Sequence, residues 1–168
     1  VGAGFISQVA HLPHYANSPD CELLALAEYR PQLRRKVSER WGIARPYASH
    51  TELLQDDDIQ AVIVVVRRHH TASVVMDALL AGKHVFSEKP MAQTFDVAKN
   101  LVAEANARNL VYSVGFMRRY DTAVLEAKKK LIQLIEEGEF GEILQVKATL
   151  IAGGDYCNIG GDIKTDEP

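Results

Sequence analysis

At 168 residues the chain is long enough for one well-buried core and part of a second. A 47% hydrophobic, 24% charged composition is that of a globular domain, and a net charge of −3 gives no electrostatic footprint for DNA, RNA or an anionic membrane. Cys21 and Cys157 match no metal or redox spacing and fit a reduced, cytoplasmic setting, and the longest apolar run, Ala61–Val66, is too short to cross a bilayer.

The chain opens on Gly2-Ala3-Gly4-Phe5-Ile6-Ser7, a G-x-G-x-x-S turn. Beyond it, short β-branched runs alternate with longer amphipathic stretches, which predicts parallel β/α units. Strands are expected at Glu22–Ala27, weakly near Pro46–Ala48, then at Ala61–Val66, His84–Ser87 and Val111–Gly115. Helices are expected between them, at about Ile6–Ala16, Gln32–Trp41, Thr71–Ala81 and Thr94–Asn109. In the last of these, Phe95, Ala98, Leu101, Val102 and Ala105 form a core-facing stripe, with Thr94 as N-cap. A further helix, Thr122–Glu137, turns Val124, Leu131, Leu134 and Ile135 inward; Lys128 to Lys130 read as a solvated face. A strand over Glu142–Leu150 follows, and the glycine-rich text from Ala152 onward reads as loop.

The fold class is therefore α/β: a Rossmann-type doubly wound parallel sheet lacking most of its first strand, plus the start of a second α/β domain. The expected domains are 1–120, a dinucleotide-binding unit, and 121–168, an incomplete substrate and oligomerisation unit. Both ends read as truncated, since the glycine turn arrives with only Val1 before it.

The chemistry-bearing residues follow that frame. Gly2 and Gly4 let the backbone approach a pyrophosphate, and the helix opening at Phe5 and Ile6 offers N–H donors and a favourable dipole. Glu28, 24 residues beyond Gly4, ends the next strand, where a carboxylate accepts ribose hydroxyls and repels a 2′-phosphate. NAD is therefore the expected cofactor. Arg30 keeps NADP open, because an arginine there can meet that phosphate, and Tyr29 lies between the two. Past the central strand, Val66, Arg67 and His70 are placed beside the cofactor. His69 and His70 are read as loop histidines rather than metal ligands, since adjacent residues point apart and no third ligand has suitable spacing. No metal is expected. In "KHVFSEKPMA" a strand runs directly into Glu88, Lys89 and Pro90, leaving an amine at the carboxyl end of the sheet, where open α/β folds bind ligands. A proton-transfer role for that amine asks for its partial burial.

Glu88-Lys89-Pro90 after "GKHV", the opening G-x-G turn, and "VGFMRRYD" downstream together resemble the Gfo/Idh/MocA family of NAD(P)-dependent oxidoreductases, over Val1 to about Lys147. The resemblance implies a Rossmann domain followed by a sheet-based second domain. Lys89 is then the residue that binds the substrate hydroxyl and assists its proton transfer, and Glu88 shapes the nicotinamide pocket. Met117 and Arg118 match a Met-Arg-Arg-Tyr-Asp run that borders substrate in the family's inositol dehydrogenases; otherwise Met117 is core filler and Arg118 pairs with a nearby carboxylate. A cis Lys89–Pro90 bond is a further family expectation. Thr71 stands where the family carries a histidine. The resemblance places the D-x-x-x-H pair that completes the family's catalytic trio in the second domain, beyond Pro168; Asp155 and Asp162 are poor substitutes for it.

The implied function is hydride transfer between a nicotinamide cofactor and a sugar, inositol or related polyol, by a homo-oligomer assembled through the second domain. The alternative is a non-catalytic dinucleotide-binding regulator or scaffold of the same fold.

Overall fold

A computed structural model of the chain describes residues 1–149 and 161–167. Residues 1–115 and 161–168 group as one compact unit, and residues 116–160 as another.

The first unit alternates strand and helix as the sequence predicts. Its strands are β1 (Ala25–Ala27), β2 (Arg45–Tyr47), β3 (Ala61–Val64), β4 (His84–Ser87) and β5 (Tyr112–Val114). All pairings are parallel, in the orders β1–β2 and β3–β4–β5, with Ala25 opposite Arg45, Ala61 opposite His84, and Val85 opposite Tyr112. Val1 and Gly2 bridge the two groups. The Val1 nitrogen donates to the Ile63 carbonyl (2.6 Å), Val65 N–H donates to the Val1 carbonyl (2.9 Å), and Gly2 N–H donates to the Ala27 carbonyl (2.8 Å).

A π-helical turn over Ser7–His11 runs on into α1 (Leu12–Asn17); α2 (Pro31–Trp41), α3 (His50–Leu53), α4 (Arg68–Leu80) and α5 (Phe95–Ala107) follow. Two apolar clusters result. One joins Val62 and Val64 of β3, Val85 of β4, Val75 and Leu79 of α4 and Leu101 of α5; the other joins Ala3, Leu12, Leu26, Leu33, Val37 and Ile43. Such burial of continuous β-branched strands is what parallel sheets require.

Several boundaries differ from expectation. α4 begins at Arg68 rather than Thr71, so His69 and His70 are helical, not loop residues. Their turn carries no apolar periodicity for a sequence reading to detect. On α5, Thr94 caps Val97 N–H as expected, and Leu101 and Ala105 are buried, but Phe95 and Val102 are exposed. The inward stripe is thus narrower than predicted.

Residues 161–167 return to this unit without forming a strand or helix. The Gln8 side-chain amide exchanges two hydrogen bonds with the Ile163 main chain, and Glu167 accepts from Gln32 and Leu33 N–H at the start of α2.

The second unit contains a 3₁₀ turn over Met117–Tyr120 and α6 (Thr122–Glu136), capped by Asp121. No residue of α6 is buried, so the inward face expected at Val124, Leu131, Leu134 and Ile135 is not covered within the described residues. The strand expected over Glu142–Leu150 is not formed at residues 142–149; without a neighbour to pair with, its backbone groups gain nothing from extension. Leu150 and the loop expected from Ala152, with Asp155 and Cys157, lie outside the described residues up to residue 160.

Candidate functional site

The carboxyl ends of β1, β2, β3 and β4 open onto one cleft of about 1000 Å³, the ligand-binding edge of a parallel α/β sheet. The glycine turn forms one wall. Gly2 has φ +89°, and a Cβ there would lie 2.2 Å from the Val65 carbonyl oxygen, so only glycine lets the turn pass the end of β3. Gly4 is different. A Cβ built on it meets nothing within 4 Å, leaving backbone that a ligand can approach closely. Phe5 and Ile6 also line the cleft and begin the helix whose leading N–H groups lack intrahelical acceptors. Turn and helix start together fit a pyrophosphate.

The end of β1 contributes Glu28, Tyr29 and Arg30; the end of β3 contributes Val66 and Arg67, with His70 following on α4. Glu88 and Lys89 enter from the end of β4. Arg68 of α4, weighed in the sequence with Arg67 as a residue that reaches a phosphate or is only solvated, lines the cleft too, and the sequence reading missed Ser49 and His50, from the end of β2, and Ser73 of α4. Position after a strand is the signal that would have found Ser49 and His50; Ser73, inside α4, has no such mark. Among the described residues no cluster of three or more His, Cys, Asp or Glu is arranged to hold a metal ion.

Glu28 does not stand free for a ribose. Its carboxylate is buried and accepts four hydrogen bonds: from Ala3 N–H (2.9 Å), Arg30 N–H (3.1 Å), Arg30 Nε (2.9 Å) and Arg30 Nη2 (3.1 Å). A carboxylate has about four acceptor positions, so these fill it. Burial alone would raise its pKa; the Arg30 side chain and the two backbone donors outweigh that and hold it below the ordinary carboxylate value. Glu28 thus braces the glycine turn and pins Arg30, whose guanidinium also lies 5.3 Å from the centre of the Tyr29 ring. A ribose hydroxyl reaches this carboxylate only by displacing Arg30, which corrects the picture of an open acceptor.

Lys89 is exposed rather than partly buried, and the Lys89–Pro90 bond is cis, as the resemblance leads one to expect. The Glu88 carboxylate, at the edge of the cleft, is tied to the π-helical turn. Its Oε1 lies 3.0 Å from His11 Nε2 and its Oε2 accepts the Lys89 N–H. No local signal in the sequence singles out His11.

In the second unit, Met117 is exposed and so is not the core filler of the second reading weighed for these residues, whereas Arg118 pairs with Asp121 at 3.2 Å as that reading has it.

A family model described as an oxidoreductase family with an NAD-binding Rossmann fold matches residues 1–116. The chain is 31% identical over 159 residues to a levoglucosan dehydrogenase of Pseudarthrobacter phenanthrenivorans, covering 90% of the chain and 40% of that protein. It is 27% identical over 170 residues to a myo-inositol 2-dehydrogenase of Thermotoga maritima, covering 99% and 49%. A 3-ketoreductase from Actinomadura kijaniata, solved with TDP-benzene and NADP, superposes with a TM-score of 0.72 at 30% identity, covering 84% of this chain and 43% of that one. The chain therefore spans less than half the length of these relatives.

Proposed function

Because the chain belongs to the Gfo/Idh/MocA family of oxidoreductases, we propose that it forms the dinucleotide-binding part of an enzyme that moves a hydride between NAD(P) and a carbinol carbon of a sugar, inositol or related polyol. The observation that carries this is Lys89, an amine delivered by the end of β4 into the cleft that also holds the glycine turn. A module that only held the dinucleotide would have no need of an acid–base group there. A dinucleotide held in this cleft would supply the nicotinamide as hydride acceptor for the carbinol C–H. Lys89 Nζ takes the O–H proton as the carbonyl forms and returns it in the reverse direction. Glycine turn and helix start hold the pyrophosphate, and the β1 end meets the adenosine ribose.

The same reading assigns residues 1–120 to the dinucleotide unit and 121–168 to the start of a substrate and oligomerisation unit, with residues 161–167 packed back on the first of these. Met117 and Arg118 border the substrate, and the enzyme is a cytoplasmic homo-oligomer with no nucleic-acid or membrane partner. No helix among the described residues is long and apolar enough to cross a membrane.

The test is to incubate the full-length protein with NAD⁺ or NADP⁺ and a panel including myo-inositol and levoglucosan, following reduced nicotinamide. Dinucleotide binding without turnover on any sugar or polyol sinks the enzyme reading in favour of a regulator or scaffold.

The Glu28–Arg30 clasp yields a second expected result. Arg30→Ala removes the cation available to a 2′-phosphate and frees Glu28 acceptors for ribose hydroxyls. The affinity ratio of NAD(H) to NADP(H) is expected to rise by roughly tenfold or more, a charge-assisted pair lost on one side and hydrogen bonds gained on the other. Titration with both dinucleotides measures it. An unchanged ratio removes Arg30 from cofactor selection.

A further inference from the structure

The π-helical turn Ser7–His11 lies between the glycine turn and the Glu-Lys-Pro triplet in space. Its register is set by Leu12 N–H donating to the Ser7 carbonyl, five residues back. Such wide turns redirect the side chains that follow and are frequent at functional positions. Here the redirected residue is His11.

Its ring is held on two sides. It stacks near Tyr15, with centroids 6.3 Å apart and planes 8° from parallel, and meets Phe86 edge-on at 5.7 Å and 64°. Phe86 lies on β4, two residues before Glu88. The His11 side chain is only 13% exposed, and its Nε2 lies 3.0 Å from Glu88 Oε1. The other Glu88 oxygen accepts the Lys89 backbone N–H at 3.1 Å, while Glu88 N–H donates to the Val64 carbonyl at 3.0 Å. One carboxylate thus joins the helix of the glycine turn to the backbone that carries Lys89.

We propose that His11 is a positioning residue for Lys89: it fixes the Glu88 carboxylate, and Glu88 in turn fixes the main chain from which the amine extends. The proposal rests on the proton-transfer role given to Lys89 above. A carboxylate at a strand end gains more from water than from an apolar neighbour unless a donor holds it. The His11 ring, wedged between two aromatic rings, is such a donor and has little rotamer freedom left to lose on pairing. Small displacements matter at this point, since an error of about 1 Å in a reacting group can cost roughly a hundredfold in rate.

Two substitutions in the full-length protein separate positioning from packing. His11→Phe keeps the aromatic contacts and removes the Nε2–H; His11→Gln restores an N–H donor. Amide hydrogen exchange at Lys89, read by NMR without substrate, reports the brace itself. Exchange there is expected to be at least about fivefold faster in H11F and to return to within about threefold of wild type in H11Q. In parallel, kcat on the polyol that the wild type turns over should fall by about 10- to 100-fold in H11F, with dinucleotide Kd within about threefold, and recover in large part in H11Q. A folded H11F protein with slower than fivefold-raised exchange at Lys89 overturns the proposal. If H11F does not fold, Glu88→Leu must produce the same rise with His11 in place, because leucine offers no acceptor to Lys89 N–H; unchanged exchange there overturns it equally. A wild type that turns over no polyol, with the exchange results as expected, removes the enzyme reading and leaves the brace standing.

Discussion

Lys89→Met in the full-length protein is expected to lower kcat/KM by roughly two to four orders of magnitude, the usual range for losing a positioned acid–base group. Methionine keeps the length and apolar stem of lysine but can neither bind nor release a proton. Cofactor affinity should change little, because the glycine turn lies on a different wall of the cleft and carries the pyrophosphate contacts. Steady-state kinetics with a separate dinucleotide titration tests both halves. A fall below about threefold takes Lys89 out of the mechanism.

Gly2→Ala is expected to be the most damaging single change to the fold near the site. The residue sits at φ +89°, and its new Cβ would lie 2.2 Å from the Val65 carbonyl oxygen. That neighbour is backbone, and it cannot swing aside like a side chain. Val65 N–H is bound to the Val1 carbonyl, so moving the end of β3 also loosens the bridge between the two strand groups. A left-handed conformation alone costs about 1–2 kcal/mol, and the clash should carry the total beyond about 3 kcal/mol. Chemical denaturation measures the loss. Gly4→Ala is the control: it has open space around it, so its stability should stay near wild type while dinucleotide binding weakens. Equal destabilisation by both changes would show that the turn is limited by chain flexibility rather than by contact at Val65.

The strand–helix alternation was legible because β-branched runs such as Ala61–Val64 and the turn glycines are local signals. The cleft was legible for the same reason, since Glu28, Arg67 and Lys89 each lie within three residues of the end of a strand. What stayed hidden depends on partners distant in sequence. His11 and Glu88 are 77 residues apart, and nothing near either announces the pair. Glu28 was visible as an acid at a strand end, but not the fact that Ala3 and Arg30 already fill its acceptor positions. α3 spans only His50–Leu53, too short for any periodicity, and its Ser49 cap was its one local mark. The segment at 142–149 has the apolar content of a strand, yet strand formation needs a neighbouring edge that no local pattern can report.

The all-parallel pairing of the sheet also bears on the order in which the chain assembles. Ala25 pairs with Arg45, Ala61 with His84 and Val85 with Tyr112, separations of 20, 23 and 27 residues. Loop-closure entropy distinguishes these by only about 0.3 kcal/mol, so chain proximity does not decide which pair forms first. Burial does. The β3–α4–β4 segment brings Val62, Val64, Val75, Ala78, Leu79 and Val85 into one apolar cluster, whereas β1 and β2 meet with Arg45 and Tyr47 only half-buried. Pulse-labelled hydrogen exchange during refolding should therefore protect β3 and β4 before β1 and β2. The wall that carries Lys89 would then stand before the β1–β2 pair that supplies Glu28 and Arg30, and simultaneous protection of both would show that the sheet closes in a single step.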